Sequence, residues 1–220
     1  GAPSGYLKMV AKIIHDAGGL FVADEVQPGF GRTGETFWGF ESDAFLPDIV
    51  TMGKPMGNGH PLAATIIKRN LVEKFAKKTG YFNTFGGNAV SCAAGMAVMD
   101  VIEQDNLQEN ALSIGKYLKD EIKSLANKYD LIGDVRGKGL FIAIEMISDC
   151  DMTPASEAAS SIVQQLKKSG VLTNTIGPHS NILKLRPPMI FSRENSDYFL
   201  DRFDSILKKN CVNYFNANKN

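Results

Sequence analysis

The chain has 220 residues, which is enough to bury one large core or two small ones. Its 24 Lys and Arg residues balance 24 Asp and Glu residues, so it lacks the basic excess that holds a nucleic-acid backbone, and it has no acidic tail. Its three cysteines form no C-x-x-C pair, its histidines have no ligand spacing, and no apolar run approaches the roughly 20 residues of a membrane span, so composition indicates no disulfide framework, metal site or membrane helix. We expect a reducing, cytoplasmic compartment.

The first half of the chain alternates helical and strand patterns. Apolar residues at helical spacing predict a helix over 4–17, with Ser4 as its N-cap and Gly18-Gly19 ending it. Further along, the pattern predicts a strand over 20–24, a long ordered loop over 28–47, a strand over 48–52, a Gly- and Pro-rich turn over 53–61, a strand over 62–67, a helix over 70–78, a polar loop over 79–88 and a helix over 89–103.

The pattern changes near residue 104, where we place a domain boundary. The segments that follow are a charged helix over 108–128, paired strands over 131–147, a helix over 155–169, short strands over 171–175 and 182–186, a helix over 194–209 and a frayed polar tail over 211–220. Short strands flanked by helices are typical of an α+β unit. We therefore predict an α/β unit over 1–104 and a small α+β domain over 105–220.

Two predicted strands of the first unit end in polar side chains. The first strand leads to Asp24-Glu25, and the second leads to Lys54. Because buried parallel strands end at one edge of a sheet, these side chains are expected to share that edge. A partly desolvated lysine is a nucleophile that forms Schiff bases, and a buried acid can pair with a protonated pyridine nitrogen. The alternatives are a surface lysine in a turn and acids that only cap a loop.

Three further residues are weaker candidates. Gln27 could donate to a ring oxygen beside Asp24, and Thr84 precedes closely spaced backbone N–H groups suited to a phosphate. Arg186 ends an apolar run and could hold a carboxylate, although a structural ion pair is the more frequent role. The G-x-G-x-x-G match over 29–34 is followed by no helical period, which argues against a dinucleotide site.

Together these motifs resemble the class III aminotransferases, pyridoxal phosphate enzymes of fold type I. The matching segments, in the family's order, are 23–27 with 29–34, 48–54, 84–88 and 185–188. The resemblance implies the second half of the large cofactor-binding domain, a mostly parallel sheet with helices, over 1–104. It implies the small C-terminal α+β domain over 105–220. One local departure is Ala89, where the family usually has Pro.

The resemblance also implies a role for each candidate residue. Lys54 would carry the Schiff base to pyridoxal 5'-phosphate and later move a proton, while Asp24 would pair with the pyridine nitrogen. Gln27 would contact the ring oxygen. Thr84 would reach the cofactor phosphate of the partner subunit in a homodimer, and Arg186 would hold a substrate carboxylate.

The expected reaction is transfer of an amino group between an amino compound and an oxo acid. Two alternatives stay open: a phospholyase of the same family, which eliminates phosphate and ammonia from a phosphorylated amino alcohol, and a structural or dimerisation module without activity. In the family, a glycine-rich phosphate turn and a stacking aromatic precede the position of Asp24, and this sequence contains neither. We therefore expect the C-terminal portion of a longer enzyme, which by itself binds pyridoxal phosphate weakly or not at all.

Overall fold

A computed structural model describes residues 3–217, with side chains as far as residue 210. The chain folds into two compact units, one ending at Gln108 and the other beginning at Glu109. Helices accompany a sheet in each unit, which confirms the predicted α/β class. The assignment of the units to a cofactor-binding domain and a small domain stays a prediction. No helix within residues 3–217 is both long enough and apolar enough to span a membrane.

The first unit contains a three-stranded sheet and its helices. Its elements are α1 Tyr6–Asp16, β1 Val22–Asp24, β2 Ile49–Met52, β3 Ala64–Ile67, α2 Arg69–Lys78 and α3 Ala89–Gln104, with short 3₁₀ helices at Gly39–Asp43 and Lys54–Gly57. The strand order is β1-β2-β3, and β1 pairs with β2 in parallel. The β2–β3 pairing is antiparallel, because the short connection between them contains no crossover α-helix.

The start of α1 differs from the prediction. Ser4 is not its N-cap; that position belongs to Gly5, which has a φ of 80° and gives no side-chain cap. The carboxylate of Asp43 accepts instead from Gly5 N at 2.9 Å and from Leu7 N at 2.7 Å. A distant acid thus satisfies two helix-terminal N–H groups and places a negative charge at the positive end of the helix.

The predicted elements beyond residue 106 are largely confirmed. They are α4 Leu107–Ala126, β4 Ile132–Lys138, β5 Phe141–Met146, α5 Ser156–Lys168, β6 Asn174–Ile176, β7 Ile182–Leu185 and α6 Arg193–Ala217. The sheet has the order β4-β5-β7-β6, and every pairing in it is antiparallel.

Two boundaries in this region were predicted wrongly. The strand expected over 171–175 begins only at Asn174, because Val171 N donates to Leu166 O at 2.9 Å and thereby closes the end of α5. The tail expected to fray from Cys211 stays helical as far as Ala217, since neither Gly nor Pro interrupts it. The last three residues of that tail lie outside the described part of the chain.

The two units bury cores of different size. In the second unit, alternate residues of β5 and one face each of α5 and α6 meet in a single apolar cluster. The most deeply buried members include Ile142, Ile144, Met146, Ala159, Ile162, Leu166, Phe203 and Leu207. In the first unit the buried cluster consists of Ala23, Phe30, Phe40, Val50 and Met52. The second unit therefore gains much more stabilisation from apolar burial.

A buried carboxylate holds the first unit together. Asp48, just before β2, accepts from Phe21 N at 2.8 Å and from Lys68 Nζ at 2.8 Å, and its Oδ2 lies 2.6 Å from His15 Nε2. The hydrogen bond from Lys68 is the largest cause that lowers the pKa of Asp48, followed by the bond from Phe21. The ionised acid thus links α1 to the ends of two strands.

We expect Asp48→Asn to lower the free energy of unfolding by about 1–2 kcal/mol at about pH 7, because its partners Lys68 and His15 are both partly exposed. The ordinary pKa of an aspartate is 3.8 and the folded value is lower, so this stabilisation is present above pH 3.8 and is lost as pH falls below it. The difference between wild type and variant in urea unfolding should therefore shrink at about pH 3. Asp100→Asn, on the exposed face of α3, is the matched control. Equal losses in the two variants would contradict the assignment.

Candidate active site

The parallel pairing of β1 and β2 places Asp24 and Lys54 at one edge of the sheet. Asp24 lies opposite Thr51 in the register, and Lys54 follows Thr51 by three positions. Asp24 Oδ1 accepts from Val26 N at 3.1 Å and from Thr51 Oγ1 at 3.4 Å. These two hydrogen bonds, one from the residues after β1 and one from β2, orient the Asp24 carboxylate.

Lys54 opens a strained turn at this edge. It is the first residue of the 3₁₀ helix Lys54–Gly57 and has a φ of 38°, in the left-handed region that non-glycine residues seldom adopt. Pro55 follows it and disfavours the right-handed helical conformation at Lys54. The side chain is exposed, whereas the sequence predicted partly desolvated surroundings.

The buried acid of the strand end is Glu25 and not Asp24. Asp24 is exposed, whereas Glu25 is 2% exposed and accepts from Gly39 N at 2.7 Å and from Phe40 N at 3.0 Å. Burial raises the pKa of the Glu25 carboxyl, although the two backbone N–H groups act in the opposite direction. Glu25 thus fixes the long loop after β1. Of the two acids, Glu25 is therefore the one that caps a loop.

The long loop is ordered by aromatic packing. Phe30, Phe37 and Trp38 lie with ring centroids 4.8–5.4 Å apart. After the G-x-G-x-x-G segment, the chain forms only the 3₁₀ helix Gly39–Asp43. Gln27 lies at the start of this loop and is half-buried, three positions after Asp24.

Thr84 lies in an exposed loop directly before α3. The predicted helix start is confirmed: Asn88 is the N-cap, and its Oδ1 accepts from Ser91 N at 3.0 Å. Two of the backbone N–H groups that the sequence offers to a phosphate, those of Phe85 and Gly86, donate to Asn83 Oδ1. The hydroxyl of Thr84 is thus the more accessible donor of this loop.

Arg186 belongs to the second unit. It follows β7 and lines a cavity of about 430 Å³, together with Lys184, the segment Val171–Asn174 and the ring of Tyr198. The structure therefore places Asp24 and Lys54 at one sheet edge of the first unit and Arg186 at a concave, partly cationic surface of the second.

Sequence reasoning missed two residues near the sheet edge. Alternation along β1 places Glu25 on the same side as the buried Ala23, and this signal could have identified it as the inward-facing acid. His60 has no metal-ligand spacing in the sequence, yet it closes the turn that Lys54 opens, and its Nε2 lies 2.8 Å from Ser91 Oγ of α3. In the sequence, the position of His60 in the same glycine-rich turn as Lys54 could have indicated its structural role.

Comparisons with known proteins identify the family of this chain. The family model for class-III aminotransferases matches residues 1–207. An alanine–glyoxylate aminotransferase 2-like protein of Drosophila melanogaster is 47% identical over 208 residues, which are 93% of this chain and 42% of that protein. The ethanolamine-phosphate phospho-lyase homolog 1 of Caenorhabditis elegans is 43% identical over 209 residues, 93% of this chain and 45% of its own length. The chain thus spans less than half the length of these curated relatives.

A solved structure shares the fold. A phospholyase from Arthrobacter in complex with phosphoethanolamine has a TM-score of 0.91 and 42% identity to this chain, and the match covers 94% of this chain and 50% of that one. At this level of identity and coverage, both units have counterparts in one solved chain.

Proposed function

Because the chain belongs to the class III aminotransferase family, we propose that it carries the Lys54–Asp24 side of a pyridoxal phosphate site. The enzyme would transfer an amino group between an amino compound and an oxo acid. One observation carries the proposal: the parallel pairing of β1 and β2, which delivers an amine and a carboxylate to the same sheet edge. The family is pyridoxal phosphate-dependent, so the amine and the carboxylate at this edge would bind that cofactor.

The residues at the edge fit that cofactor. Its aldehyde requires an amine, and Lys54 presents one on an exposed turn; its ring nitrogen requires an acid, and Asp24 presents an exposed carboxylate held by Val26 N and Thr51. Bound pyridoxal phosphate supplies an electron-withdrawing ring that weakens bonds at the substrate's α-carbon. Asp24 would hold the proton on the ring nitrogen. Lys54 Nζ would bind the cofactor aldehyde covalently with loss of water and, once the substrate amine has displaced it, would be free to move the α-proton.

The other candidates have separate proposed roles. Gln27 donates to the ring oxygen from its position after β1, and Thr84 binds the cofactor phosphate across a homodimer. Arg186 receives a substrate carboxylate in the cavity of the second unit, because a guanidinium binds a carboxylate through paired hydrogen bonds. Lys184 adds a second cation to that cavity, which favours anionic substrates.

Two other functions compete with amine transfer. The C. elegans relative and the Arthrobacter structure carry phospholyase names, which favours phosphate elimination from a phosphorylated amino alcohol as the second candidate. A structural module without activity is the third, and the oriented Asp24 beside Lys54 argues against it. We further propose a cytoplasmic location, because Cys92 and Cys150 are free thiols, as in reducing compartments.

The reaction class is tested with the protein that carries this chain. Given pyridoxal phosphate and phosphoethanolamine without an oxo acid, we expect no release of inorganic phosphate. Given an amino acid and an oxo acid, we expect a new amino acid to form. Samples without added cofactor are the control. Phosphate release in the first assay would refute transamination as the main activity, and inactivity in both assays would favour the structural module.

A further inference from the structure

The turn that Lys54 opens packs against the first half of α3. A Cβ added to Gly95 would stand 2.7 Å from Leu62 Cδ2, the end of a flexible side chain, and 3.8 Å from Met56 O, so the helix and the turn are in van der Waals contact. Ser91 lies one helical turn before Gly95 and therefore on the same face of the helix. The turn therefore packs on the face of α3 that contains Ser91 and Gly95.

One polar contact fixes the far end of the turn to that support. His60 Nε2 lies 2.8 Å from Ser91 Oγ, and Ser91 is 8% exposed. Asn88 Nδ2 donates to the same hydroxyl at 2.9 Å and to Phe85 O at 2.8 Å. A hydroxyl has one donor and two acceptor sites, so Ser91 can satisfy both partners at once. The contact thus joins the end of the Lys54 turn to the cap of α3 and to the loop that carries Thr84.

The turn needs such an anchor. Lys54 and Asn58 both have positive φ, at 38° and 43°, and each such residue costs free energy that the surroundings must supply. Its inner hydrogen bonds are short-range: Met56 N to Gly53 O, Asn58 N to Pro55 O, and His60 N to Gly57 O. The buried strand β2 holds the start of the turn. The contact from His60 holds the end.

We propose that His60 is a positioning residue: through its hydrogen bond to Ser91 it fixes the turn on α3 and so sets where Lys54 Nζ stands relative to Asp24. This inference rests on the proposed function, because it takes Lys54 as the reacting amine. His60 does not touch the reacting atoms. Loss of the contact lets the strained turn relax and moves Nζ out of its reacting position, which slows the reaction and leaves the binding of substrate at Arg186 unchanged.

A nucleophilic Ser–His pair is the other chemistry that this contact suggests. Ser91 is buried, and its hydroxyl is held by the N-cap Asn88 on one side and by His60 on the other. A nucleophile must reach its substrate, and this hydroxyl is enclosed within the start of a helix. The geometry therefore favours a contact of Ser91 and His60 that anchors the turn, and not a nucleophilic pair.

Kinetics in the protein that carries this chain test the proposal. We expect His60→Leu and Ser91→Ala each to lower kcat by about 10- to 100-fold with KM within about twofold, because a small displacement of a reacting group is costly. His60→Gln keeps an N–H donor and should recover most of kcat. The double variant should be no slower than either single one, because both remove the same contact. His179→Leu, an exposed histidine of the second unit, is the matched control.

Hydrogen exchange separates this inference from the proposed function. In His60→Leu, the amides of Met56 and Asn58 should exchange about 5- to 10-fold faster, whichever residue reacts with substrate. Unchanged exchange overturns the anchor. Faster exchange with unchanged kcat, or with kcat and KM altered alike by His60→Leu and His60→Gln, overturns the positioning role. Activity that survives loss of Lys54 refutes the proposed function and leaves the exchange result as the test of the anchor. Ser91→Ala favours the helix, so it serves where His60→Leu fails to fold.

Discussion

Lys54→Ala is expected to abolish turnover by the protein that carries this chain. The variant loses the nucleophile that binds the cofactor and the base that moves the α-proton, and proton transfer alone contributes about 10²–10⁴-fold to rate. Lys68 cannot substitute, because the antiparallel register places it at the other end of β2, where its Nζ donates to Asp48 at 2.8 Å. Lys54→Arg should be equally inactive, since a guanidinium keeps the charge but does not lose a proton in proteins.

The measurement is initial rate in the amine-transfer assay, accompanied by borohydride reduction and mapping of the labelled peptide. Wild type should carry the label on Lys54, and both variants should carry none. Lys74→Ala, an exposed lysine of α2, is the control and should retain activity within about twofold. Either Lys54 variant retaining more than about a tenth of wild-type activity would show that another group is the reacting amine.

Gly115→Ala is expected to destabilise the second unit although alanine is the better helix former. Gly115 lies inside α4, and a Cβ added there would stand 2.2 Å from Gly139 O and 2.6 Å from Gly139 Cα. Both atoms belong to backbone next to Leu140, which is fully buried, so neither can move aside alone. Helix propensity favours the variant by about 1 kcal/mol. The clash outweighs this gain, and we expect a net loss of about 1–3 kcal/mol in the free energy of unfolding.

Urea unfolding followed by circular dichroism measures this loss. The control is the same substitution at Gly80, where an added Cβ would meet nothing within 4 Å. There we expect a change of less than about 1 kcal/mol, in the stabilising direction, because alanine restricts the unfolded chain. If Gly115→Ala proved as stable as Gly80→Ala, the close approach of α4 to the β4–β5 connection would be refuted.

Local patterns predicted most of this structure. Helical spacing located α3 to within one residue at its end, and the apolar runs before Asp24 and Lys54 predicted two strands with a common edge. A period of two also indicates the inward direction of Glu25, but the acidic pair alone does not indicate which of its two carboxylates is buried. The motif was thus sufficient to find the edge and insufficient to orient each side chain.

Features that depend on distant residues were not predictable in this way. The cap of α1 comes from Asp43, and the buried acid Asp48 takes its partners from three separate segments. No local pattern specifies which distant side chain will satisfy a helix end or a buried charge. The antiparallel direction of β3 has the same origin, because it depends on the path of the chain after Lys54 and not on the composition of the strand.

The cap supplied by Asp43 also bears on the order of folding. The helix α1 has 11 residues, a length at which an isolated helix is marginal in water, and its first turn is satisfied by an acid that lies 38 positions along the chain from Gly5. The helix is therefore stabilised only after the intervening loop has closed, and loop closure costs entropy before the contact repays it. We therefore expect α1 and the loop that carries Asp43 to become stable together.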